Sequence, residues 1–257
     1  KRPDLTEVDE RAAKDSMGYL KDFVYTAFGL QAKRNFAAIS PEGKNELKLL
    51  YDAECRFLDS ELARLLDEVE RKHPNTLIVI MSDHGEEFWE HGSMGHATTL
   101  HAEQVEVPLV IHGPGLSPKA VSDRVSTLDV VPTIVGYLGV GPNPLWQGRD
   151  LLADGRKLDE EFVYSRTRGP DSQFGIEFEM VHHGKWKLIR DAKSGTTKLF
   201  DTTLDREEKK DLVSTHPDIA RELAVTLDSR NEANREHPLR TSPDATPLSE
   251  EFRQDLK

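Results

Sequence analysis

The residues best equipped for chemistry lie in one run, Ser82-Asp83-His84-Gly85-Glu86-Glu87-Phe88-Trp89-Glu90-His91-Gly92-Ser93-Met94-Gly95-His96. Asp83 beside His84 offers one hard oxygen donor and one nitrogen donor, a pair suited to a divalent cation, and Gly85 lets the chain turn away sharply. Two donors are only part of a coordination shell, and Asp-His-Gly alone describes a structural turn equally well. Glu86 and Glu87 read either as partners that orient the metal-facing side chains or as acids at a helix start. His91 reads first as a loop-holding histidine and second as a substrate contact. His101 and His112 read as satisfied polar groups near a crevice. His182 and His183 are adjacent in a strand-like run, so they point to opposite faces and cannot pair. The acidic run 205–210 reads as a solvated turn.

The elements that must position this loop follow from periodicity. Between residues 44 and 72, Leu47, Tyr51, Cys55, Leu58, Leu62, Leu65 and Val69 recur at steps of three and four, the stripe of a long amphipathic helix. His73, Pro74 and Asn75 end it, and the place of Cys55 on the stripe predicts a buried core thiol. Residues 76–81 form a short apolar run that reads as a central parallel strand buried on both faces, and residues 107–111 form a neighbouring one. In open α/β sheets ligands sit off the carboxyl ends of such strands, where the Asp83 loop begins. Leu128, Val131, Ile134, Val135 and Leu138 fit a helix with Pro132 in its first turn and Gly139 past its end. The expected fold is α/β, part of a doubly wound, mostly parallel sheet over residues 1–150. After the turn-rich stretch 139–148, runs at 162–166, 176–182, 185–190 and 198–201 predict a small C-terminal antiparallel sheet, with a helix near 217–227, spanning 151–235. Residues 1–40 read as short helices or loops, and the polar tail 236–257 as unstructured.

Composition narrows the partners. With 34 Lys and Arg against 46 Asp and Glu, the net charge of −12 argues against a broad nucleic-acid or anionic-membrane surface. An anionic substrate therefore requires a local positive centre. No apolar stretch approaches membrane-spanning length, and one cysteine excludes an internal disulfide framework. The opening segment, starting at Lys1 with neither signal core nor domain start, reads as cut from something longer.

Taken in order, the strand at 76–81, Ser82-Asp83-His84-Gly85-Glu86, Glu90-His91-Gly92, Gly95-His96, Val107-Pro108-Leu109 and Gly113-Pro-Gly115 resemble the C-terminal half of the sulfatase family, in the alkaline-phosphatase superfamily. Tyr51-Asp-Ala-Glu54 with Asp59, Asp129-Val-Val-Pro132-Thr133, Trp186-Lys-Leu and Lys198-Leu-Phe-Asp201 extend the match over roughly residues 44–230. The resemblance implies that Asp83 and His84 ligate a divalent ion, Ca2+ before Mg2+ or Mn2+, beside a catalytic formylglycine. It also implies that His96 stands where many sulfatases hold the sulfate oxygens with a lysine, so that an imidazolium there would donate to the anion or its leaving oxygen.

The implied substrate is an anionic small-molecule or glycan sulfate ester, and a periplasmic or secreted location fits the family. The formylglycine precursor pattern, Cys/Ser-x-Pro-x-Arg, occurs nowhere in the sequence, nor do the paired aspartates of the family's first strand. The resemblance places both in a segment before Lys1 and predicts that the chain alone is inactive. Phosphonate or phosphodiester hydrolases and phosphoethanolamine transferases share Ser-Asp-His-Gly-Glu and stand as alternatives, as does a non-catalytic module that keeps the fold.

Overall fold

The computed structural model describes residues 40–141, 143–153, 162–168 and 177–236. The expectations for residues 1–39 and for the tail 237–257 fall outside this range. The chain opens on α1 (Pro41–Lys72), whose start is set by the Ser40 side chain accepting from the Gly43 N–H at 3.1 Å, with Pro41 in the first turn. Arg71 and Lys72 occupy the last turn, where cations complement the exposed carbonyls.

No residue of α1 is buried. Cys55, expected in a core, is exposed, as are Phe57 and Leu58, each at 64%, and Leu65. The helical stripe is present as its period requires, but it is covered only in part, where the Phe88 ring lies 5.0 Å from that of Tyr51. Period alone says which residues share a face and leaves open what covers them.

Strands β1 (Ile78–Met81) and β4 (Leu109–His112) are neighbours, as their apolar runs suggest. Their pairing is antiparallel, with Met81 opposite Leu109 and Ile78 opposite His112. This corrects the parallel reading, and every strand pair among the described residues is antiparallel. Neither strand is buried on both faces. The reason lies in the connection. A parallel return needs a crossover, usually a full helix. Residues 82–108 instead form a two-strand ribbon, β2 (Glu87–Phe88) with β3 (Met94–Gly95), and a single helical turn, α2 (Ala102–Val105).

A 3-10 turn at Thr127–Asp129 leads into α3 (Val130–Tyr137). Ser126 and Asp129 form a capping box there, each side chain accepting from the other's backbone N–H across the turn. Gly139 follows at φ +71, the left-handed position that glycine fills at low cost. Gly148 lies so close to this turn that a Cβ would sit 1.9 Å from the Leu128 carbonyl oxygen.

Four strands close the fold in sequence order: β5 (Val163–Arg168), β6 (Glu177–His183), β7 (Trp186–Asp191) and β8 (Thr197–Asp201). Alternation sorts their side chains onto two faces. Val181, Leu188 and Leu199 are directly opposite one another and pack on Ala220, Leu223 and Leu227 of α4 (Pro217–Glu236). On the other face Met180, Ile189 and Phe200 pack against Leu100, from the segment that follows the Asp83 loop. That second contact ties the small sheet to the loop carrying the chemistry. His182, Lys187 and Phe200, opposite one another across β6, β7 and β8, lie on this inner face.

Candidate metal and anion site

The site is built on the segment leaving β1. Ser82 Oγ donates to the His84 carbonyl at 2.6 Å, and the Asp83 Oδ1 accepts from the His84 N–H at 3.0 Å, so the chain reverses at once. Gly85 then passes against α2, where its N–H donates to the Gln104 carbonyl at 2.9 Å. A Cβ on Gly85 would lie 2.1 Å from the Glu103 carbonyl oxygen, so only glycine fits.

Two neighbouring acids part where β2 begins, Glu87 inside the strand and Glu86 just before it. Glu87 points inward and is fully buried. Its Oε1 accepts from the His91 N–H at 3.1 Å and the Ser93 N–H at 2.8 Å, and its Oε2 from Gln104 Nε2 at 2.8 Å. The Glu87 carboxylate therefore holds the ribbon's turn, which also contains Trp89 at φ 67 and Gly92 at φ 90. Glu86 points the other way, toward the site. Its Oε2 lies 2.9 Å from His96 Nδ1.

His96 stacks on His84, with ring centroids 3.8 Å apart and planes inclined by 26°. Donor atoms of His84, Glu86 and His96 all lie within 4.8 Å of one another. His84 Nδ1 is 2.9 Å from the Gly85 carbonyl, which fixes the proton on Nδ1 and leaves the Nε2 lone pair outward. Asp83 is the most solvent-exposed member at 87%, with Oδ2 3.7 Å from His84 Nε2. The two imidazoles are about 40% exposed and Glu86 17%. The site thus opens to solvent on one side and is anchored through its acid.

His91 lies away from this group. Its Nδ1 meets Glu103 Oε1 at 2.5 Å, its Nε2 lies 3.2 Å from the Glu208 carbonyl oxygen, and its ring stacks on that of His101 with centroids 3.5 Å apart and planes nearly parallel. With both ring nitrogens engaged, its geometry is that of a bracing residue. The adjacent His101 is buried and bonds Glu208 Oε2 at 2.7 Å, while Lys187 Nζ meets Glu208 Oε1 at 2.6 Å. Glu208, which the acidic run 205–210 suggests to be solvated, is in fact 2% exposed.

Burial alone pushes the Glu208 carboxyl up, and the His101 and Lys187 contacts outweigh it, holding the group below its usual range. Burial pushes Lys187 down. Sequence reasoning missed Glu208 because one buried acid in a charged turn has no period to reveal it. The only signal was its φ of +52, a structural fact.

His112 sits at the far end of β4, exposed and 3.7 Å from Glu70. His182 is buried beneath the small sheet and its neighbour His183 stacks on Phe162, so the two face apart as alternation requires.

The histidine and carboxylate cluster lies off the carboxyl end of β1, the place where open α/β sheets bind ligands. The sulfatase family model matches residues 22–140. The chain is 28% identical over 202 residues to arylsulfatase K of Mus musculus, covering 72% of this chain and 36% of that protein. It is 27% identical over 185 residues to choline-sulfatase of Rhizobium meliloti (strain 1021), covering 68% and 34%. The fold is similar to the phosphonate monoester hydrolase of Agrobacterium radiobacter, with TM-score 0.64, 20% identity, and coverage of 76% of this chain and 43% of that one. It is also similar to a protein solved with its substrate D-glucosamine-2-N,6-O-disulfate, with TM-score 0.62, 20% identity, and coverage of 84% and 47%. These matches fit the sulfatase family of the alkaline-phosphatase superfamily. It spans about a third of the length of the curated relatives it matches.

Proposed function

We propose that the complete protein to which this chain belongs hydrolyses sulfate monoesters of small molecules or glycans. The observation that carries this reading is the convergence of His84, Glu86 and His96 beside Asp83 at the carboxyl end of β1. The names of the relatives support the substrate class: an arylsulfatase, a choline-sulfatase, and a protein whose substrate is a disulfated glucosamine.

Each residue has a role that its geometry supports. Asp83 and His84 would hold a divalent ion, their Oδ2 and Nε2 lying 3.7 Å apart. When bound, that ion polarises the ester oxygens and offsets negative charge as it develops. His96 faces the same opening and donates from its ring to an anionic oxygen or to the leaving group. Glu86, 2.9 Å from His96 Nδ1, fixes the ring's direction. Buried Glu87 and Gln104 keep the ribbon beneath them in place.

The attacking group is not supplied by these residues: the sequence contains no Cys/Ser-x-Pro-x-Arg, and Cys55 lies on α1. A formylglycine contributed by another segment of the complete protein completes the reading. No helix among the described residues is long and apolar enough to cross a membrane.

The test compares the complete protein with the 257-residue chain, each with an aryl sulfate and a divalent ion, and each also as His96→Ala. Turnover by the complete protein, a fall in kcat with His96→Ala, and background rates for the chain alone are the expected results. Turnover by the chain alone that disappears with His96→Ala would refute this division of labour.

A further inference from the structure

The donor set that this chain brings to the site does not match the chemistry of calcium. Ca2+ takes about six to eight oxygen ligands and has little affinity for imidazole. The atoms that converge are two imidazole nitrogens and one carboxylate oxygen, contributed by His84, His96 and Glu86. Nitrogen-rich sets of three with an open position suit borderline ions, for which imidazole is a preferred ligand.

The geometry around each ring selects its donor atom. His84 Nδ1 is committed to the Gly85 carbonyl, so that ring keeps its Nε2 for a metal, while His96 Nδ1 and Glu86 Oε2, 2.9 Å apart, are spaced as neighbouring ligands of one ion and leave the His96 Nε2–H for an anion. Three ligands on one tetrahedral centre sit about 3.4 Å from one another, set by bonds of about 2.1 Å. The donors, within 4.8 Å now, need only modest closure, and both rings have solvent on one side in which to make it. Asp83 Oδ2, 3.7 Å from His84 Nε2, stands ready as a further oxygen ligand.

We infer that His84, Glu86 and His96 form a site for a borderline divalent cation of the Zn2+ and Co2+ type, and that this centre takes such an ion in preference to Ca2+. The inference rests on the reading of this loop as the metal-facing end of the site and does not require that the protein turn over a sulfate ester. It adds Glu86 as a ligand and makes His96 a residue shared between metal and anion.

The probe is Co2+, titrated into the full chain and followed by visible absorption. The expected result is one site, intense bands of a low-coordinate ion, and no displacement by a hundredfold excess of Ca2+. Glu86→Gln, which keeps the side chain's shape, and His96→Ala should each weaken binding by about tenfold or more, with thermal unfolding confirming that both variants fold. Displacement of Co2+ by equimolar Ca2+, or equal affinity in the wild type and Glu86→Gln, would overturn the inference. Co2+ binding as expected in a complete protein that fails to hydrolyse an aryl sulfate would refute the functional reading and leave the metal site standing.

Discussion

Lowering the pH should destabilise this fold through His182, because its imidazole is held neutral where the unfolded chain would hold it charged. The side chain is 3% exposed, with Nε2 3.1 Å from Thr202 Oγ1. Burial, then the positive charges of Arg124 and Lys187, push its pKa down from 6.5 to about 3, against a smaller opposing pull from Glu208. Since the folded value is the lower one, the unfolded chain takes up a proton first as pH falls. The stabilisation is therefore complete above about pH 6.5 and is lost progressively down to about pH 3.

One pKa unit corresponds to about 1.4 kcal/mol, so the loss is about 2 kcal/mol between pH 7 and 5 and approaches about 5 kcal/mol near pH 3. The assay is urea unfolding of the wild type and His182→Gln at pH 7 and pH 5. Comparing the two proteins cancels the titration of every other group. The wild type should lose about 2 kcal/mol more than the variant over that interval. Equal losses in both, within about 0.5 kcal/mol, would show that His182 does not carry the buried-neutral penalty.

Glu208→Gln should cost about 3–5 kcal/mol, read by denaturant unfolding, because it leaves the Lys187 ammonium buried with its closest carboxylate gone. Gly85→Ala should destabilise by about 2 kcal/mol or more and displace the Asp83 loop, seen as changed His84 and His96 ring resonances, since the added methyl meets the Glu103 carbonyl. Leu188→Ala, at the centre of the face under α4, should cost about 2–5 kcal/mol without altering Co2+ binding, which separates core damage from site damage.

Local pattern was enough for much of the architecture. The period of α1, the four strands of the small sheet and α4 are written in apolar spacing, and the elements appear close to where that spacing puts them, α4 running on to Glu236. The adjacency of β1 and β4 was legible too, because two short apolar runs flanking a polar loop have few other partners. So was the candidate loop itself, since Asp83, His84 and His96 are chemically conspicuous just beyond a strand.

Direction and burial were decided only in three dimensions. An apolar run carries no sign of strand direction, and the connection through β2, β3 and one-turn α2 returned β4 antiparallel. The stripe on α1 names a face without naming what covers it, so Cys55 reads as core and is exposed. Glu86 and Glu87 are equivalent as letters, yet Glu87 enters β2 and becomes the ribbon's scaffold while Glu86, just before the strand, meets His96. Glu208 is placed 2.6 Å from Lys187 and 2.7 Å from His101 by the packing of a distant turn on the inner face of the sheet. The sequence determined which residues have the chemistry, because donor type and period are local properties. The tertiary structure decided which of them meet, because buried charge pairing and strand direction depend on contacts between segments far apart in the chain.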